Sequence, residues 1–145
     1  MAQHQDTGTE MTADVAEGAT APIVLSIPAL PEYVALSRLT IAALATRFGL
    51  DQETASDLKL AVTEACSLFI RDVATTADPS GIRVEFHLGD EQWSISVTGL
   101  VGANGLNGGD HSVGLALVVI QALTDEVETR QEGSRGWLRF SKSVR

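Results

Sequence analysis

An α/β two-layer sandwich, with a mixed sheet of about five strands and three helices on one face, is the fold that this 145-residue chain predicts. Three observations carry it. Apolar residues alternate with period two in five short stretches and recur with helical spacing in three longer ones. The stretches follow one another as β-α-α-β-β-α-β-β, without internal repeat. Strands that run in hairpins, with helices enough to cover one face, leave little choice of architecture.

Each element has its own justification. Ile23, Leu25 and Ile27 alternate with Val24 and Ser26 in a short strand that Pro28 and Pro31 end. Tyr33, Leu36, Leu39, Ile41, Ala42 and Leu44 give the apolar content of about four helical turns through Phe48, with Gly49 as the stop. A second helix starts near Asp51 and runs to about Val73, its core face made by Leu58, Ala61, Val62, Ala65, Phe69 and Val73. Asp78, Pro79, Ser80 and Gly81 break that pattern. From Arg83 the period becomes two: Val84, Phe86 and Leu88, then Trp93, Ile95 and Val97, form a hairpin around a Gly89–Gln92 turn. Five glycines and two asparagines between Gly99 and Gly109 read as a flexible connection. Ser112 can then N-cap a third helix, Val113 to about Thr124. Its apolar residues lie nearly all round, so it must be buried on most sides or covered by a partner. Strands at about 126–131 and 136–143 turn at Gly133 and Ser134.

Composition narrows the function. The chain carries 19 acids against 10 bases, a net charge of −9, which argues against a DNA-binding module. Four of the acids fall in residues 1–21, which hold no Lys or Arg and no periodic apolar residues; this segment reads as a disordered acidic tail, and residues 22–145 as one folded domain. The tail lacks the basic and apolar regions of a secretory signal. The longest mostly apolar run, Val113–Leu123, is too short to span a bilayer, and a single cysteine, Cys66, makes neither a disulfide nor a CxxC metal or redox motif. A cytoplasmic protein is expected.

Few residues suggest chemistry on their own. Glu64 sits mid-helix among apolar neighbours and could act as a base or metal ligand, although periodicity alone makes it a solvent-edge glutamate. The glycine-rich stretch matches neither GxGxxG nor the P-loop and reads as a linker. His111 has no orienting partner placed by sequence, and Cys66 reads as a small buried thiol.

Three segments carry a resemblance: Ser37–Leu44 (SRLTIAAL), Asp57–Ser67 (DLKLAVTEACS) and Ser112–Glu128 (SVGLALVVIQALTDEVE). They are similar to the RsbW/SpoIIAB-type anti-sigma factors of the GHKL superfamily of histidine-kinase-like ATPases, over about residues 22–143. The resemblance implies the GHKL (Bergerat-type) fold and binding of a sigma factor. In many members it also implies Mg-ATP and phosphorylation of an anti-anti-sigma partner. Against the family's Glu-x-x-x-Asn motif, Glu64 matches, but Leu68 replaces the magnesium-binding Asn, and leucine has no oxygen to offer that ion. Against Asp-x-Gly-x-Gly, the chain reads Thr98, Gly99, Leu100, Val101, Gly102, so the adenine anchor is missing. Residues 99–113 hold no cation, and Asp110 stands where phosphates would lie. Gly114 and Leu115 retain part of the third motif. Arg38 matches a family arginine that contacts both protein partners, with Glu32, Val34, Ala35 and Thr40 bordering that surface.

The expectation is therefore an anti-sigma factor that sequesters an alternative sigma factor and is released by partner switching, without catalysis, cofactor or metal. Homodimerisation is possible within the family, and neither nucleic acid nor membrane is a direct partner. The alternative is an active serine/threonine kinase using Mg-ATP, with Glu64 catalytic and Gly99, Gly102 and Gly114 at the phosphates. A second alternative is a small-ligand sensor built on the remodelled pocket. The acidic balance suggests docking against a basic sigma-factor surface.

Overall fold

The structure, a computed structural model, describes residues 21–70, 81–101, 105–106 and 111–145, with the side chains of His111 and Ser112 excepted. The expected tail, the end of the second helix at Val73, and Asp78–Ser80 lie outside the described residues, apart from Ala21.

Alternation places the strands β1 (Ile23–Ile27), β2 (Ile82–Leu88), β3 (Gln92–Leu100), β4 (Glu126–Glu132) and β5 (Arg135–Ser143) in one sheet of order β1-β2-β3-β5-β4. On its inner face Ile82, Val84, Phe86, Trp93, Ile95, Val97, Leu138 and Phe140 are buried. Helices α1 (Ala35–Phe48), α2 (Gln52–Ser67) and α3 (His111–Leu123) cover that face. The opposite face is open and largely polar: Glu85 pairs with Arg83 at 2.7 Å and lies 3.4 Å from His87, Arg139 pairs with Glu128, and the Arg130 guanidinium stacks 4.8 Å from the Trp137 ring centre.

The two-layer sandwich matches the expectation, but the sheet is antiparallel throughout instead of mixed. The crossover through α3 does bring β4 back in the same sense as β3. The β4–β5 hairpin then folds β5 between them, so no parallel pair is ever hydrogen-bonded neighbour to neighbour.

Helix ends follow local chemistry. A single 3₁₀ turn, Pro31–Tyr33, leads into α1, which stops where Gly49 takes the left-handed conformation at φ 70°. Asp51 caps α2 by accepting the Thr54 amide at 2.7 Å; that bond and one from the Thr54 hydroxyl hold its carboxyl below the usual carboxylate range. α2 ends earlier than its apolar period suggests. The amides of Leu68, Phe69 and Ile70 donate to the carbonyls of Ala65, Cys66 and Ser67, tightening the last turn and turning Phe69 into the core. Among the described side chains of α3, Ala116 and Ile120 alone are buried, while Leu115 and Val118 are 60% and 59% exposed, so its described apolar surface is covered on one side.

Two of the left-handed glycines, Gly49 and Gly81, differ in their surroundings. Gly81, at φ 64°, packs so closely that a Cβ would press on the Ile27 carbonyl, whereas around Gly49 nothing lies within 4 Å. Gly49→Ala is expected to cost about 1–2 kcal/mol, the penalty of left-handed backbone alone. Gly81→Ala should cost more, since strain and backbone clash add. Urea unfolding of the two variants beside the parent chain checks the order.

Candidate functional site

The helical layer is built around α2, which packs against α1 on one side and α3 on the other. Two polar ties join α1 to α2. Inside, the buried Ser37 hydroxyl donates to the Val34 carbonyl at 2.6 Å and accepts from the Cys66 thiol at 3.9 Å. At the surface one residue further along, Arg38 Nη1 donates to Thr63 Oγ1 at 3.4 Å, and that hydroxyl donates to the Lys59 carbonyl at 2.8 Å. Burial pushes the Cys66 thiol up to about 11, the Ser37 hydroxyl opposing weakly.

Outside these ties the helices leave a groove of about 550 Å³, lined by Arg38, Leu39 and Ala42 of α1 and by Ser56, Lys59, Leu60 and Thr63 of α2. Leu39 is 64% exposed, and Leu60 and Leu36 are also exposed. Of the residues expected at a partner surface, Arg38 and Glu32 are exposed, and Ala35 and Thr40 are half-buried. The Thr40 hydroxyl is spent on the Leu36 carbonyl at 2.8 Å. Val34 is a correction: its side chain is 6% exposed and belongs to the core, because the chain turns inward where the 3₁₀ turn meets α1. Leu36, Leu39, Lys59, Leu60 and Thr63 were not read as surface contacts from sequence. A signal was present, since Leu36 and Leu39 fall out of phase with the buried Ile41 and Ala45.

Glu64 and Gly114 stand on the neighbouring helices α2 and α3; Glu64 is half-buried and Gly114 exposed, with open space where a Cβ would project. Gly102 and Asp110 lie outside the described residues. Leu68 is partly buried against the core. Phe69 covers Gly99 and its cross-strand neighbour Gly136, and a Cβ at Gly99 would come within 3.1 Å of the phenyl ring. Thr98 points the other way. It pairs with Trp137 and lines a recess of about 410 Å³ on the open face, away from the helices. The glycine-rich stretch, expected as a mobile linker, is anchored where it is described. Val101 and Leu106 are buried, the Val101 amide donates to the Ser134 carbonyl at 2.8 Å, and the Leu106 amide donates to Gln131 Oε1 at 2.9 Å.

Residues 27–142 match the profile of the histidine kinase-like ATPase domain. The Bacillus pumilus serine-protein kinase RsbW is 32% identical over 125 residues, covering 74% of this chain and 77% of that protein. The chain belongs to this family, as an RsbW-type domain. The serine-protein kinase RsbW of Listeria innocua is 36% identical over 76 residues, 52% of this chain, and the match spans 48%, about half, of that relative's length. In fold the RsbW-type domain is similar to the RsbU and RsbW domains of a Mycobacterium tuberculosis protein, with TM-score 0.67, 19% identity, and coverage of 87% of this chain and 33% of that one. It is also similar to the SiaB-SiaC complex of Pseudomonas aeruginosa, with TM-score 0.61, 10% identity and coverage of 95% and 96%.

Among the described residues of the RsbW-type domain, no group of three or more His, Cys, Asp and Glu could hold a metal ion, and no helix is long and apolar enough to cross a membrane. Its buried thiol has a thermodynamic consequence. The folded state keeps the Cys66 proton to about pH 11, against an ordinary thiol value of 9.0, so above pH 9 the unfolded chain loses this proton first. The contribution is complete below pH 9 and is lost as pH rises from 9 toward 11. Urea midpoints should fall across that window, and Cys66→Ala should flatten the fall.

Proposed function

We propose that this RsbW-type domain is an anti-sigma factor that works by partner switching. It holds an alternative sigma factor inactive and releases it when an anti-anti-sigma protein competes for an overlapping surface, without phosphorylating that competitor. The observation that carries the reading is Arg38: exposed on α1, oriented by Thr63, and flanked by exposed leucines at the position where the family resemblance places a partner contact. A guanidinium held in this way suits bidentate recognition of a carboxylate on a partner.

The absence of catalysis is supported by the residues around Glu64. Phosphoryl transfer depends on a metal and on exact positioning of the phosphates. Leu68 provides no oxygen for magnesium, Thr98 faces the open side of the sheet, and Phe69 lies on Gly99. The second reading, an active serine/threonine kinase, is favoured by the retained Glu64 and by the names of the relatives, serine-protein kinases. In that case the domain would hold Mg-ATP beside Glu64 and Gly114.

The two readings separate in one set of measurements. A fluorescent ATP analogue with magnesium should show no saturable binding, and labelled ATP should leave the anti-anti-sigma partner unlabelled. The sigma factor should co-purify with the domain, and Arg38→Ala should weaken that complex at least about tenfold, as expected for an interface arginine. Micromolar ATP affinity with transfer to a partner serine would establish the kinase instead.

A further inference from the structure

We infer that α2 supplies the second wall of the docking surface. Lys59 and Leu60, opposite Arg38 and Leu39, cradle an amphipathic helix of the protein partner whose apolar ridge is flanked on both sides by carboxylates. The inference rests on the reading of this face as a partner site and adds what the partner must present.

Spacing gives the groove its shape. Ser56, Lys59, Leu60 and Thr63 form one stripe of α2 at i, i+3, i+4 and i+7, and Arg38, Leu39 and Ala42 form the facing stripe of α1. Two adjacent helices with a trough between them accept a third helix along that trough, anchored by its own i, i+3, i+4 residues. Leu39 at 64% and Leu60 at 46% exposure are the counterpart anchors, large apolar side chains left in water on both walls.

Charge decides what flanks the ridge. The chain carries −9, yet the described lining of the groove holds two cations, Arg38 and Lys59, and no carboxylate. Asp57, two residues before Lys59, is turned aside and lies 3.4 Å from Lys142 of β5. Neither Arg38 nor Lys59 has an ion-pair partner among the described residues. The charges lining the groove are thus opposite in sign to the net charge of the chain, and the contacting helix is acidic even if the partner as a whole is basic. A second copy of this chain is disfavoured in the groove, because two-fold docking would set like charges against one another.

The probe is a synthetic, fluorescently labelled helix-forming peptide of about five turns, with leucines at i, i+3, i+4 and i+7 and glutamates on both flanks. Its control carries glutamine at every glutamate. The acidic peptide should bind with affinity that falls as salt rises, the glutamine control at least about tenfold more weakly, and Lys59→Glu or Leu60→Asp should each cost about tenfold or more. Circular dichroism on both variants confirms that they fold. Equal affinity for the two peptides, or folded variants that bind like the parent, would overturn the inference, as would a dimer in analytical ultracentrifugation that Leu60→Asp dissociates. If Arg38→Ala releases a bound sigma factor while Lys59→Glu and Leu60→Asp do not, the α2 wall is wrong and the anti-sigma reading stands. If the acidic peptide binds as stated and no sigma factor does, the groove stands and that reading falls.

Discussion

Everything in the helical layer depends on α2 lying close to its neighbours. Ala61, Ala65 and Cys66 are fully buried and small, so the helix can approach α1, α3 and the sheet with little side chain in between. Close approach leaves no room for an unpaired polar atom, and the buried Ser37 hydroxyl is accordingly bonded to Val34 and Cys66. That tie places Arg38, the next residue of α1, within reach of Thr63. The geometry of the exposed groove is therefore inherited from the dry contact beneath it.

The same packing sets what can occur at the far end of α2. The helix tightens after Ser67, and the turn that results buries Phe69 over the paired glycines Gly99 and Gly136. A phenyl ring covering two residues without side chains replaces apolar contacts the strands cannot supply themselves. Gly136 is hemmed in further, since a Cβ there would meet Val101 at 2.6 Å. Gly99 and Gly136 thus serve close packing of the sheet end.

Period-two alternation made the strands legible, because Val84, Phe86, Ile95 and Val97 had to share the buried face. Helix stops at Gly49 and starts at Asp51 were legible for equally local reasons. The sense of the sheet was not, since pairing of β5 between β3 and β4 is a long-range choice that no window of sequence contains. For the site, Arg38 could be placed by family resemblance. Lys59 and Leu60 could not: the apolar period of α2 set them outside the core face, but only the packing of α1 alongside α2 makes them one wall of a groove. Val34 was misplaced because its burial depends on tertiary packing at the junction of the 3₁₀ turn and α1. The anchoring of Val101 and Leu106 was hidden by glycines that suggested mobility, while the Gln131 side chain that receives the Leu106 amide comes from a strand 25 residues away.

On the non-catalytic reading proposed above, the differences from the family's nucleotide motifs are more than surface changes that one reversal could undo. Restoring an oxygen ligand at Leu68 would place a polar group where a partly buried leucine now packs against the core, at a cost unless a partner were found for it. It would do nothing for Thr98, whose side chain the pleat directs to the opposite face of the sheet. Alternation fixes that direction, since Val97 and Gly99 on either side are buried under the helices. Moving a side chain from one face to the other needs a change of register along β3, which is bonded on both sides to β2 and β5. The sheet that gives the domain its rigidity thereby holds this position away from the helices. On the helical side the α1/α2 groove lies open, and there recognition is a matter of complementary shape and charge.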